Sequence, residues 1–292
     1  MELEHTFFKT NGIRLHVVQA GPQSGVPVIL LHGFPEFWYG WRSQLPALVQ
    51  AGFRVIVPDQ RGYNLSDKTK GIKSYRVDEL VKDVVGLIDV LGYEKVNLVG
   101  HDWGAVVSWM LAYQHPERLQ RLGILNVPHP LVFRRFITRD FEQMGRSMYA
   151  FFFQLPWLPE LVMRAGDWRA AVRTLRGSAK TNTFTDEDIA RYKDAWSQPG
   201  AMTAMLNWYR AVRFHMKLPK EMQIKTPTLI LWGMKDVALT HRMARPSIDH
   251  CEDGRLILFP DHTHWVQHEA ADEVNHYLID FFLDKISKQA IR

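Results

Sequence analysis

The chain has 292 residues, 46% hydrophobic and 23% charged, which is ordinary for a soluble globular protein and leaves room for one large domain or a domain with an inserted lobe. One cysteine, Cys251, excludes an internal disulfide and fits a reducing compartment, so the expected location is cytoplasmic. The formal net charge is +5, with part of the excess in "FRRFITRDFEQMGRS" and at Arg164, Arg169, Arg173 and Arg176. Acidic residues interrupt it and no nucleic-acid-binding motif accompanies it, so it reads as a solvated basic face.

The opening "MELEHTFFKTNG" lacks the basic-then-apolar layout of a secretory signal, and no apolar run approaches the roughly 18 residues that a membrane span needs. Strands are predicted at 5–10 and 13–20, joined by the Asn11-Gly12 turn signal. A strand–helix rhythm follows. "VPVILL" is a buried strand, "WYGWRSQLPALVQAG" a helix ending at Gly52, and "FRVIVPD" a strand. "RVDELVKDVVGLIDVLG" carries apolar residues at helical spacing. "KVNLV" is a strand, the segment after Gly104 a helix, and "RLGILN" another strand. Strands that are apolar throughout, alternating with helices, imply a parallel sheet covered on both faces. The rhythm stops at "VPHPLVF" and resumes with "TPTLILWG", "GRLILFP" and a final helix, "ADEVNHYLIDFFLDKI". Residues 1–128 and 221–292 are therefore read as an α/β core, and 129–220 as an inserted helical lobe.

In open α/β sheets ligands sit at the carboxyl ends of strands. The residues there are His32 to Glu36, Asp59, Asp102, Asn126, Asp236 and His264. Asp102 stands at the centre of "GHDWG", between a strand and a helix, where a nucleophile is presented on a sharp turn. Asp236 and His264 complete the order nucleophile, acid, histidine, although His262 and His268 are close rivals for the last place. Serine usually occupies such a turn, and aspartate changes the chemistry. A carboxylate with an ordinary pKa of about 3.9 is ionised at neutral pH and needs no base to become a nucleophile. It suits attack at a saturated carbon bearing a leaving group, giving an ester of the protein. A histidine aligned by a second acid can then activate water against that ester. The oxyanion forms on Asp102 itself, and the expected backbone N–H donors are Trp103 and Phe34.

"LLHGFPEFWYGWR", "VPDQRGYNLSDK", "LVGHDWGA", "LNVPHP", "LNWYR" and "HTHWVQHE" together resemble the α/β-hydrolase-fold epoxide hydrolases, across residues 5–285. The resemblance implies the α/β-hydrolase fold: a mostly parallel sheet, helices on both faces and an inserted helical cap, or lid. It implies Asp102 as nucleophile, His264 as base, Asp236 as the acid that orients it, and Phe34 and Trp103 as oxyanion donors. By the same resemblance Tyr209 in "LNWYR" and Tyr149 in "GRSMYAFFFQLP" are the lid tyrosines that hold the epoxide oxygen, and Glu36 and His101 lie near the hydrolytic water, behind the residues that touch it. The chain departs from the family at Ala105, Asn64 and Thr69, where Gly, Gly and Pro are common.

"HGFP" also occurs in dehalogenases, and the rival activity is a haloalkane dehalogenase sharing the aspartate nucleophile. Phe34 stands where those enzymes often have Asn. A fluoroacetate-type dehalogenase would want arginines where Trp103 and Val106 stand. Asp102 excludes a serine esterase, and the complete residue set argues against a catalytically silent binding protein. The expected partners are a small hydrophobic epoxide and water, with no nucleic acid, no membrane span and no cofactor or metal; monomer and homodimer both stay open. Phe151, Phe152, Leu158, Leu161 and Met163 fit either a hydrophobic pocket or core packing.

Overall fold

The computed structural model describes residues 1–214 and 218–286. Residues 215–217 of the expected lobe, and 287–292 at the end of the expected core, lie outside them. The eight strands are β1 (Glu4–Thr10), β2 (Ile13–Ala20), β3 (Pro27–Leu31), β4 (Arg54–Pro58), β5 (Val96–His101), β6 (Leu119–Leu125), β7 (Thr228–Gly233) and β8 (Gly254–Phe259). They form one sheet in the order β1-β2-β4-β3-β5-β6-β7-β8. The β1–β2 hairpin turns on Asn11 and Gly12, both at positive φ. β1–β2 and β2–β4 pair antiparallel, and every later pair is parallel.

Strand periodicity explains why the central strands are apolar throughout. Ile29 and Leu31 point into one core and Val28 and Leu30 into the other; Ile56 and Leu98 oppose Val55 and Val99 in the same way. One face is covered by α2 (Val77–Val90), through Val84, Leu87 and Ile88, and by α3 (Trp103–Gln114), through Val107 and Leu111. The other is covered by α1 (Gln44–Gln50), through Leu45 and Leu48, and by α12 (Ala271–Phe282), through Val274, Leu278 and Phe281. Truncating one of these leucine, isoleucine or phenylalanine side chains to alanine costs about 2–5 kcal/mol.

The helix expected over 38–52 is shorter than its sequence suggests. Trp38–Trp41 is a single 3-10 turn, and α1 begins at Gln44. Pro46 explains this: it has no N–H to donate backward and its ring crowds the carbonyl of residue 42, so it is tolerated only in a first turn.

Between β6 and β7 the chain forms α4 (Pro130–Arg139), α5 (Phe141–Arg146), α6 (Met148–Phe152), α7 (Leu158–Gly177), α8 (Asp186–Ser197) and α9 (Ala201–Ala211). α7 is broken at 165–168, where Gly166, Asp167 and Trp168 take positive φ. These helices lie over the carboxyl ends of the strands. The Trp196 indole donates to Pro35 O at 2.6 Å, Trp208 to Arg61 O at 3.0 Å and Trp265 to Ser178 Oγ at 2.9 Å. Two short helices, α10 (Ala244–Ile248) after β7 and α11 (Val266–Glu269) after β8, precede α12, which ends the described residues' secondary structure.

Candidate active site

β5 ends at His101, and the chain turns at once into α3. Asp102 makes that turn with φ 48° and ψ −124°, a conformation that costs a non-glycine residue about 1–3 kcal/mol. The turn is squeezed against β3. A Cβ on Gly104 would lie 2.1 Å from Leu31 O, and one on Gly33 would lie 2.3 Å from the Asp102 side chain. Only glycine lets the strand, the loop after it and the helix start come this close. Trp103 is the first residue of α3, so its N–H has no partner within the helix, and the positive end of the helix dipole points at Asp102.

Phe34 N–H donates to Asp102 Oδ1 at 2.6 Å. His264 Nε2 lies 3.7 Å from Asp102 Oδ2, and His264 Nδ1 lies 2.7 Å from Asp236 Oδ2. Asp236 is in turn fixed: its Oδ1 accepts from Ala238 N at 2.8 Å and Leu239 N at 2.9 Å, and its Oδ2 accepts from Asn126 Nδ2 at 2.9 Å. All four side chains on this line, counted from Asp102 to Asn126, are drawn from the ends of separate strands. Burial opposes charge on His264, but the carboxylates of Asp236 and Asp102 outweigh it and raise the ring's pKa to about 10. Burial likewise opposes charge on Asp102, and the facing His264, His101 and the Phe34 N–H together hold its carboxyl below the usual value.

Behind the histidine lies a buried polar knot. His101 Nε2 reaches His264 O at 2.9 Å, and its Nδ1 meets Gln267 Nε2 at 3.0 Å. Gln267 also donates to Glu36 Oε2 at 3.2 Å. Glu36 Oε1 accepts from Tyr192 OH on α8 at 2.6 Å and pairs with His268 Nε2 at 2.8 Å. Burial would raise Glu36, but His268 and His101 carry its pKa well below the ordinary range. The three histidines therefore have separate surroundings. His264 faces both aspartates, His268 holds Glu36, and His262 packs on the Phe259 ring at 5.8 Å.

A cavity of about 680 Å³ opens over Asp102 and Trp103. Its walls include Val106, Met110, Phe133 and Phe151, with Tyr149 and Tyr209. The two tyrosine rings lie 5.9 Å apart, and Tyr209 packs edge-on against Trp103 at 5.1 Å and Phe34 at 5.3 Å. Burial raises both phenols, and the Asp102 charge adds to it, so both stay protonated far above neutral pH. Tyr149 keeps 41% of its surface, but it is surface on the cavity wall. Of the apolar residues that fitted either pocket or core, Phe151 lines the cavity, Met163 and Phe152 pack in the core, and Leu158 and Leu161 do neither: they face solvent.

Asn126, Gln267, His268 and Tyr192 were not assigned to the site from sequence. Asn126 left a signal as a polar residue directly after a strand, and His268 one as a rival to His264; Asn126 sits at φ 54° and also accepts from Gly233 N at 3.0 Å, tying β6 to β7. Asp59 looked equivalent but serves the fold, accepting from Trp38 N, Asn64 Nδ2 and His16 Nδ1. Asn64 replaces a common glycine because its φ is 39°, a conformation that asparagine also tolerates. Ala105 is fully buried against the sheet.

Such a strand–turn–helix elbow, with an acid and a histidine at later strand ends, defines an enzyme of the α/β-hydrolase type. The sequence model of the α/β hydrolase fold matches residues 26–271. The chain is 46% identical over 275 residues to the AB hydrolase superfamily protein YfhM of Bacillus subtilis, covering 94% of this chain and 96% of that one. It is 39% identical to Epoxide hydrolase 2 of Caenorhabditis elegans, covering 95% of this chain and 79% of the relative. Among solved structures, it is similar to the inhibitor complex of Bacillus megaterium epoxide hydrolase, with a TM-score of 0.88, 30% identity, and 95% and 100% of the two chains covered. The chain belongs to the α/β-hydrolase-fold family of epoxide hydrolases.

Proposed function

We propose that this enzyme converts apolar epoxides to vicinal diols through an ester on Asp102, with residues 129–220 acting as the lid that supplies the phenols. The observation that carries the proposal is the placing of Tyr149 and Tyr209 in the same apolar cavity as an ionised Asp102. Opening an epoxide leaves an alkoxide, a poor leaving group that needs a proton. A buried phenol, un-ionised at neutral pH, can give one. A departing halide needs no proton, and the phenyl ring of Phe34 offers it no donor.

In the first step an Asp102 oxygen attacks a ring carbon. The carbon–oxygen bond of the epoxide breaks, its electron pair stays on oxygen, and a phenol proton follows. The phenol is reprotonated from solvent. His264 now faces one carboxylate instead of two, because the ester has no charge; the loss of that support lets it release its proton. In the second step neutral His264 takes a proton from water. The hydroxide adds to the Asp102 carbonyl carbon, and the Phe34 and Trp103 N–H groups stabilise the oxyanion. The intermediate expels the diol oxygen, which takes the proton from His264. Asp102 ionises again and its proton restores the charged histidine.

The two steps separate in a variant. His264→Gln should form the ester and fail to hydrolyse it, so intact-mass spectrometry after mixing with a styrene-type epoxide should show enzyme plus substrate. Substrate consumption with steady diol release and no adduct would contradict the proposal.

A further inference from the structure

The helices over the sheet carry apolar side chains on two sides, and only one side is packed. Phe141 is 88% exposed, Trp157 67%, Phe151 64%, Met148 60% and Leu161 59%. Phe141 and Met144 on α5, and Met148 and Phe151 on α6, are exposed and spaced three apart, the spacing that keeps side chains on one face of each helix. Isolated apolar residues on a surface are ordinary, whereas a contiguous row of large ones marks an interaction surface.

The charge along the segment that carries this row, from α4 to α7, is one-sided. The acids of the segment are neutralised within the protein: Asp140 and Glu142 by Arg242, Glu160 by Arg210 and Asp167 by Lys193. Arg146 and Arg176 also pair with carboxylates. Arg134, Arg135, Arg139, Arg164, Arg169 and Arg173 have no carboxylate partner among the described residues. An apolar row with uncompensated guanidinium groups needs a partner that is apolar beneath and anionic at its surface.

We propose that this face seats the enzyme on an anionic lipid surface, the aromatic and aliphatic side chains entering the headgroup–acyl boundary and the arginines meeting phosphates. This is attachment to one leaflet; among the described residues no helix is long and apolar enough to cross a membrane. A second copy of the chain fits less well, because a two-fold contact would set the same arginines against each other. The face also adjoins the way into the cavity, since the exposed residues Phe151 and Arg134 belong to the cavity's lining. A seated enzyme would open on the layer in which an apolar substrate concentrates. The seating itself does not depend on the chemistry assigned to Asp102.

The test is co-sedimentation of the full chain with vesicles of phosphatidylcholine, alone or mixed with phosphatidylglycerol, at low and high salt. The chain should sediment with the mixed vesicles and bind about tenfold less tightly to phosphatidylcholine alone or in high salt. Phe141→Ser with Trp157→Ser, and Arg135→Glu with Arg139→Glu, should each weaken binding about tenfold. Both double variants should keep the melting temperature and the turnover of a water-soluble epoxide. If either double variant does not fold, the wild-type dependence on lipid charge and salt decides alone. Sedimentation no greater than the vesicle-free control, or indifferent to lipid charge and salt, overturns the proposal. So does a wild-type dimer in light scattering that the Phe141→Ser/Trp157→Ser variant converts to monomer.

Discussion

On the proposed route a single side chain, Asp102, takes two roles that a serine enzyme divides between itself and its substrate. On that route it is the nucleophile of the first step and the acyl group of the second. Its neighbours differ accordingly. The Phe34 N–H already touches a carboxylate oxygen, so the donor is in place before any oxyanion forms. His264 lies between two carboxylates that raise its pKa to about 10, and on the proposed route it becomes a base only when one of them is esterified. On the same proposed route Tyr149 and Tyr209 share the task of donating to the epoxide oxygen, and losing either leaves its partner. Tyr149→Phe and Tyr209→Phe should each slow single-turnover ring opening about 10- to 100-fold, and the double variant should lose more than either. Pre-steady-state loss of substrate is the measurement; two unimpaired single variants would remove the phenols from the mechanism.

At the scale of elements, the elbow works because β3, β5 and the start of α3 approach within backbone contact. Gly104→Ala would put a methyl group against Leu31 O and should push α3 off β3. The expected loss is about 3 kcal/mol of stability, with turnover falling as Asp102 leaves the Phe34 N–H. Thermal unfolding and kcat measured together check this, and an alanine variant with wild-type values in both would contradict it. Elements of this kind were legible in sequence because their signals are local. The Asn11-Gly12 turn, the fully apolar strands and the small residues around Asp102 each span fewer than about ten residues. The short α1 was misjudged through overlooking what Pro46 does to a helix. The ties of Tyr192, Gln267 and His268 to Glu36 were hidden for another reason. Glu36 joins partners 156, 231 and 232 residues away, and no periodicity records a contact at that separation. The Asp102, Asp236 and His264 set was readable only because each residue follows a strand, where the topology brings distant segments to one edge.

At the scale of the whole molecule, the helices over the sheet and the sheet itself meet at His129, just after β6. The residue is fully buried and stacked on His250, ring centroids 4.2 Å apart. Burial and the neighbouring His250 lower its pKa to about 3, against about 6.5 in the unfolded chain. The unfolded state therefore binds the proton more readily below pH 6.5, and stability falls as pH drops from there toward 3. By linkage this one group costs about 2 kcal/mol between pH 6.5 and pH 5. Urea unfolding across that range should show the loss, and His129→Asn should flatten it; an unaltered slope in the variant would assign the effect elsewhere. The overall architecture was readable from the pattern of strands and helices. The outward apolar face was not, because Leu158 and Leu161 have the same composition whether they line a pocket, fill a core or face a bilayer.

The central claim is that the oxygen added to the substrate comes first from the enzyme. One turnover with enzyme in excess, carried out in oxygen-18 water, tests it directly. The account predicts that the first diol carries ordinary oxygen from Asp102, that the label enters the Asp102 carboxylate, and that only later turnovers release labelled diol. Full labelling of the diol in the first turnover would mean that water attacks the epoxide itself, and the ester on Asp102 would have to be abandoned.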